Sequence, residues 1–113
     1  MDMNMDMDMD IEIAATRLSS LGNATRLSLF RLLVRAGKEG LNIGEIQKHL
    51  DIPPSTLAHH IQALQQTNMV IQKKQGREVI NTANYDAMNR LVDFLTEHCC
   101  QGVAAECEKN ESC

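Results

Sequence analysis

The spacing of apolar residues predicts a mainly α-helical domain with a single β-hairpin. Three features carry that expectation. Helical apolar stripes recur four times before residue 67, a Pro53-Pro54 pair separates two of them, and β-branched residues flank Gln75-Gly76. At 113 residues the chain has room for one core and not two. Aromatic residues make up only 3% and Trp is absent, so Leu, Ile, Val, Ala and Met must fill that core.

The first helix is expected over Ile11 to Leu21, with residues 11, 14, 15, 18 and 21 on one side. Gly22 interrupts it, and Asn23 can cap the next helix, ATRLSLFRLLVRAG. There Leu27, Phe30, Leu33 and Val34 form the expected inner face with Leu29 beside them, and Gly37 supplies the stop. After a short extended link, IGEIQKHL gives a third helix with Ile43, Ile46 and Leu50 as its apolar positions. The Pro pair ends that region and suits the entrance of a fourth helix, STLAHHIQALQQTN, built on Leu57, Ile61 and Leu64. MVIQKKQGREVINTA reads as the hairpin. A last helix is expected from Tyr85 to about Cys100, with Met88, Leu91, Val92 and Leu95 on one face and Gly102 ending it. This order of elements is a winged helix–turn–helix.

Such a frame predicts where nucleic acid would be read. If Leu57, Ile61 and Leu64 face the core, Ser55, His59 and Gln62 point away from it, flanked by Thr56. Small and hydrogen-bonding residues near a helix N-terminus can read base edges in the major groove. Lys48 and the hairpin residues Lys73, Lys74 and Arg77 would meet phosphates. His60, beside the core stripe, is a further DNA-facing candidate with a structural alternative, a half-buried histidine. Charge is compatible with this reading. The net charge is −4, but residues 1–12 carry −5 and residues 98–113 carry −2, leaving a body of +3.

Residues 1–10, MDMNMDMDMD, are acidic and low in complexity, so disorder is expected there. They are not basic and lack an apolar segment, unlike a secretory leader, and no run approaches a membrane span. A cytoplasmic protein without membrane contact is expected, where thiols stay reduced. All four cysteines nevertheless fall in the last fifteen residues, at 99, 100, 107 and 113. In that setting they point to metal or redox chemistry before a disulfide framework. No assembled nucleophile, base and orienting group is visible, so no enzymatic activity or catalytic cofactor is expected.

Three segments then resemble one family in the right order. LGNATRLSLFRLL is similar to the opening helix motif of the ArsR/SmtB metalloregulators, IPPSTLAHHIQAL to their recognition helix, and QKKQGREVI to their wing. The resemblance runs from about Ala15 to Leu95. It implies a homodimeric repressor on double-stranded operator DNA, joined through its first and last helices.

The family's metal sites can be compared residue by residue. Its cysteine pair at the start of the third helix has no counterpart in GLNIGEI. Its zinc site on the last helix would fall on Asp86, Asp93, Glu97 and His98, without a paired histidine. FLTEHCCQG instead resembles the arsenite-responsive members with cysteines at the end of the last helix, which implies As(III) or Sb(III) as inducer on Cys99, Cys100 and Cys107. The chemistry agrees, because these thiophilic ions take three thiolates and soft ligands select soft ions. Cys113 is treated as a spare thiol, and His98 could complete a Cys3His zinc site. Other readings remain open: methylated trivalent arsenic, cadmium, lead or mercury as inducer, a thiol-redox switch joining Cys99 or Cys100 to Cys107 or Cys113, or a metal-buffering tail. The expected organisation is an acidic tail at 1–10, a DNA-binding and dimerisation domain at 11–98 and a metalloid-binding tail at 99–113.

Overall fold

The computed structural model describes residues 9–103. Of the expected disorder at 1–10, Met9 and Asp10 are ordered instead, Met9 packing against the core and Asp10 capping the first helix. Residues 1–8, and Cys107 and Cys113, lie outside the described residues.

Side-chain capping sets most of the helix starts. Asp10 Oδ1 accepts from the Ile13 amide to open α1, Ile11–Leu21. Asn23 accepts from the amides of Thr25 and Arg26 to open α2, Ala24–Ala36. Helix α2 ends at Gly37 and passes into a 3₁₀ turn, Gly37–Glu39. Asn42 and Glu45 form a reciprocal capping box at the start of α3, Ile43–Leu50. Asp51 closes α3 in the left-handed region, and Pro53-Pro54 lead into α4, Pro54–Gln66.

The hairpin follows, with β1 at Val70–Gln75 and β2 at Glu78–Ala83 in antiparallel register from Val70↔Ala83 to Gln75↔Glu78. Only Gly76 and Arg77 connect the strands. Gly76 has φ +64° while Arg77 is not left-handed, the pattern of a type II′ turn. Asn84 then caps α5, Tyr85–Thr96. The Tyr85 hydroxyl ties α5 to the end of α2, donating toward the Leu33 and Val34 carbonyls at 3.2 and 3.0 Å.

The core gathers Leu29 and Leu33 of α2, Ile46 of α3, and Leu57, Ile61 and Leu64 of α4 under Met69, Val70 and Leu91. The winged helix–turn–helix expected from the sequence is the fold observed. Leu41 forms an isolated bridge to Asn81, so the link before α3 adds a short third pairing to the wing. Asn81 is buried and satisfied, its Nδ2 donating to the Leu41 carbonyl and its Oδ1 accepting from Gln72.

Three details differ from expectation. Leu27 is 44% exposed, whereas Leu29 and Leu32 are buried. Six apolar residues between 27 and 34 surround α2, so periodicity alone does not select every position of its inner face. Ile43, expected inside, sits at the first turn of α3 and is 37% exposed. The third difference is that α5 ends at Thr96 rather than near Cys100. Its apolar stripe ends at Leu95, and the positions that would continue it are polar or thiol-bearing. Thr96 Oγ1 bonds back to the Val92 carbonyl, and His98 and Cys100 both take positive φ. Gly102 therefore does not set the stop.

Helix α1 lies against α5, and the pair leaves Ile11, Leu18, Val92 and Leu95 exposed, the last two by 52% and 57%. No helix of the described residues is long and apolar enough to cross a membrane.

Candidate nucleic-acid interface and thiol pair

With Leu57, Ile61 and Leu64 buried, helical geometry leaves Ser55, Thr56, His59 and Gln62 exposed on the outer side of α4. The start of this helix is also chemically distinct. Asp or Asn side chains close the N-termini of α1, α2, α3 and α5, but Pro53 precedes α4 and no side chain caps it. The first intrahelical bond runs from the Leu57 amide to the Pro53 carbonyl. The amides of Ser55 and Thr56 thus stay free of a side-chain cap beside their own exposed hydroxyls, an arrangement suited to an anionic oxygen.

His60 is placed differently from its neighbours. It is half-buried, and its Nδ1 lies 3.2 Å from Arg26 Nε, which donates to it. Burial lowers its pKa below the ordinary 6.5, and the nearby Arg26 and His59 charges lower it further. The His59 ring stands 6.0 Å away and faces solvent. His60 is therefore engaged with α2, while His59 remains open to a ligand.

On the wing, Lys73, Lys74 and Arg77 are all exposed, Arg77 at the turn itself. Lys48 is exposed on α3. The one ion pair recorded among the described residues joins Arg90 to Asp86 on α5, so none of these four cations is neutralised there. The same pair occupies Asp86, one of the acids where a zinc-type site would fall.

The thiols sit just beyond α5. Cys99 and Cys100 are free and exposed, with Sγ atoms 3.2 Å apart. On a continuous helix, neighbours diverge by about 100° and cannot share an ion. Here the Cys99 amide bonds to the Thr96 carbonyl, and positive φ at His98 and Cys100 turns the chain so that the sulfurs converge. His98 Nδ1 lies 3.2 Å from Gln101 Oε1. Among the described residues no group of three His, Cys, Asp or Glu side chains is placed to hold a metal ion. The expected third sulfur, Cys107, falls outside them, so the described chain contributes a convergent pair.

Two features were not anticipated from sequence. The Arg26–His60 contact joins residues 34 apart and leaves no periodic trace. A basic cleft formed by Arg31, Arg35 and His49 had one visible signal, two arginines four residues apart on one helix.

Comparison with known proteins agrees with this geometry. Residues 21–72 match a family model described as a helix-turn-helix domain. No curated protein sequence matches the chain. Solved structures do. An ArsR-like transcriptional regulator from Rhodococcus sp. RHA1 superposes with a TM-score of 0.66 at 24% identity, covering 74% of this chain and 76% of its own. A possible transcriptional regulator for arsenical resistance gives 0.61 at 20% identity, over 70% and 79%. The homodimeric winged helix-turn-helix DNA-binding domain of Mb0332 from Mycobacterium bovis gives 0.61 at 16% identity, over 94% and 95%. At these identities the likeness establishes a shared fold.

Proposed function

We propose that the chain is a homodimeric transcriptional repressor of the ArsR type, which leaves its operator when tail thiols bind As(III) or Sb(III). The observation that carries the reading is the pairing of two features on one small domain. An uncapped, polar reading helix is presented to solvent, and a convergent dithiol follows the last helix. Solved structures of the same fold include an ArsR-like regulator and a homodimeric DNA-binding domain, which supports the DNA-binding and dimeric parts.

In this reading α4 enters the major groove with Ser55, Thr56, His59 and Gln62, and Lys73, Lys74 and Arg77 hold the backbone. One such helix reads few base pairs, so a twofold partner is needed for useful affinity. The exposed apolar residues of α1 and α5 supply that contact. Arsenous acid condenses with the thiols of Cys99, Cys100 and Cys107. Three As–S bonds form, and each hydroxyl leaves as water with a thiol proton. The Cys99–Cys100 pair provides two of those sulfurs already near one another.

The test is operator binding followed by anisotropy during arsenite titration of the reduced protein, using the region upstream of its own gene. Wild type should bind and then release. Cys99→Ser and Cys100→Ser should bind with unchanged affinity and lose the response. Release that persists in both variants would remove the thiol pair from the mechanism. Failure of wild type to bind would remove the repressor reading itself.

A further inference from the structure

We propose that a basic cleft between α2 and the C-terminal end of α3 grips a backbone phosphate of bound DNA, a contact additional to α4 and the wing. It rests on the DNA-binding reading above. The cleft encloses about 260 Å³ and is lined by Ser28, Arg31, Leu32, Arg35, His49 and Leu50.

The lining has the chemistry of an oxyanion site. Ser28, Arg31 and Arg35 fall at i, i+3 and i+7 of α2 and so share one face. Leu32, on the same side, is buried, while the polar residues are exposed. Two guanidiniums four residues apart on a helix repel each other. Neither has an ion-pair partner among the described residues, and the lining contains no carboxylate. His49 Nδ1 lies 3.0 Å from the Glu45 carbonyl, which holds the ring against its own helix and fixes Nδ1 as the donor. Paired guanidiniums beside a hydroxyl suit the several oxygens of a phosphate better than a single carboxylate or a halide.

Position in the fold favours a phosphate of DNA. Helix α3 ends at Leu50, and only Asp51, Ile52 and Pro53 separate it from α4. Four peptide units join Leu50 to Pro54, at most about 14 Å when fully extended, comparable with the ~12 Å width of the major groove. With Ser55 and Thr56 at the base edges, the cleft comes within range of phosphates bordering the same groove. The other end of α3 meets the wing, where Asn42 Nδ2 donates to Glu78 and Arg77 lines a shared groove with Ile43 and Gly44. Two basic clusters therefore stand at opposite ends of α3, roughly 12 Å apart along its eight residues.

The experiment measures affinity against salt concentration for the full chain, on the upstream duplex and on a scrambled duplex of equal length. Arg31→Ala/Arg35→Ala should weaken both by about tenfold and lower the slope of log K against log salt by about one. Arg31→Lys/Arg35→Lys keeps the charge and should keep the slope. Arg90→Gln on α5 removes a cation elsewhere and should leave it unchanged. Thermal melting confirms that the variants fold. An unchanged slope in the alanine variant overturns the proposal. So does an unchanged slope combined with inorganic phosphate shifting the His49 ring resonances, which would make the cleft a site for free phosphate. Wild type that binds neither duplex would instead refute the DNA-binding reading.

Discussion

Gly40 fixes the wing to the helix–turn–helix, and replacing it with alanine should be far more damaging than the same change three residues earlier. Gly40 has φ +66° and ψ −170°, a region that side chains rarely tolerate. A Cβ there would run into the Asn81 carbonyl oxygen and come within 2.6 Å of Thr82 Cγ2 and 2.8 Å of Ile80 Cγ2. Relief requires the chain to move off β2. That breaks the reciprocal bonds of the Leu41–Asn81 bridge, which measure 3.0 and 2.9 Å. Gly37 is the internal control, with φ +80° and ψ −164° but open space around its added Cβ. Both variants carry backbone strain of about 1–3 kcal/mol. Gly40→Ala adds about 1 kcal/mol for each lost bond and about 1–3 kcal/mol for overpacking. The expected gap between the variants is therefore at least about 2 kcal/mol, a serious fraction of the roughly 5–15 kcal/mol that holds a small domain folded. Urea denaturation should show it as a midpoint difference of about 1–2 M at equal slope. Equal midpoints for Gly37→Ala and Gly40→Ala would refute the view that close backbone approach anchors the wing.

Two further outcomes follow from side chains with specific surroundings. Because the His60 pKa is lowered in the fold, the unfolded chain binds more protons as pH falls through 6.5, so this residue costs stability on the acid side and ceases to cost it above. His60→Gln should flatten that part of the stability–pH profile measured by denaturation from pH 5 to 8, and an unchanged difference curve would contradict the assignment. In the proposed dimer, Leu95→Glu should weaken self-association by about a hundredfold. Each protomer loses apolar burial of about 1.5 kcal/mol, and a twofold interface counts it twice. Sedimentation would measure this while circular dichroism stays unchanged, since Leu95 is already exposed in the protomer. A fully dimeric variant would place the interface elsewhere.

Legibility in the sequence followed how much each element depends on local chemistry. Helix α4 was readable because its apolar residues occupy only one stripe, so Leu57, Ile61 and Leu64 define inside and outside together. The hairpin was readable because Gly76 marks a turn that needs positive φ. Helix α2 was readable as a helix and in most of its inner face, Phe30, Leu33 and Val34 with Leu29 beside them, but tertiary packing turns Leu32 inward where the sequence pattern placed Leu27. Nothing local links Arg26 to His60, a contact that exists only once α2 and α4 are packed. The cysteine pair stood out at once in the sequence. Its convergence did not, because that depends on the left-handed residues His98 and Cys100.

That turn also bears on how ligation could reach DNA under the proposed function. A non-glycine residue held in the left-handed region costs about 1–2 kcal/mol, and His98 and Cys100 both occupy it. The approach of the two sulfurs is thus maintained against a local cost of the same order as a typical allosteric coupling, about 1–3 kcal/mol. An ion bridging Cys99 and Cys100 favours the turn over a helical continuation, in which the sulfurs would diverge. Ligation therefore opposes any extension of α5 beyond Thr96. Val92 and Leu95 lie within the last turn and a half of that helix, so its stopping point sets how long an apolar face it offers to a second protomer. Binding at the thiols and the spacing of two reading helices would then be coupled through the end of one helix, with no rearrangement of the core required.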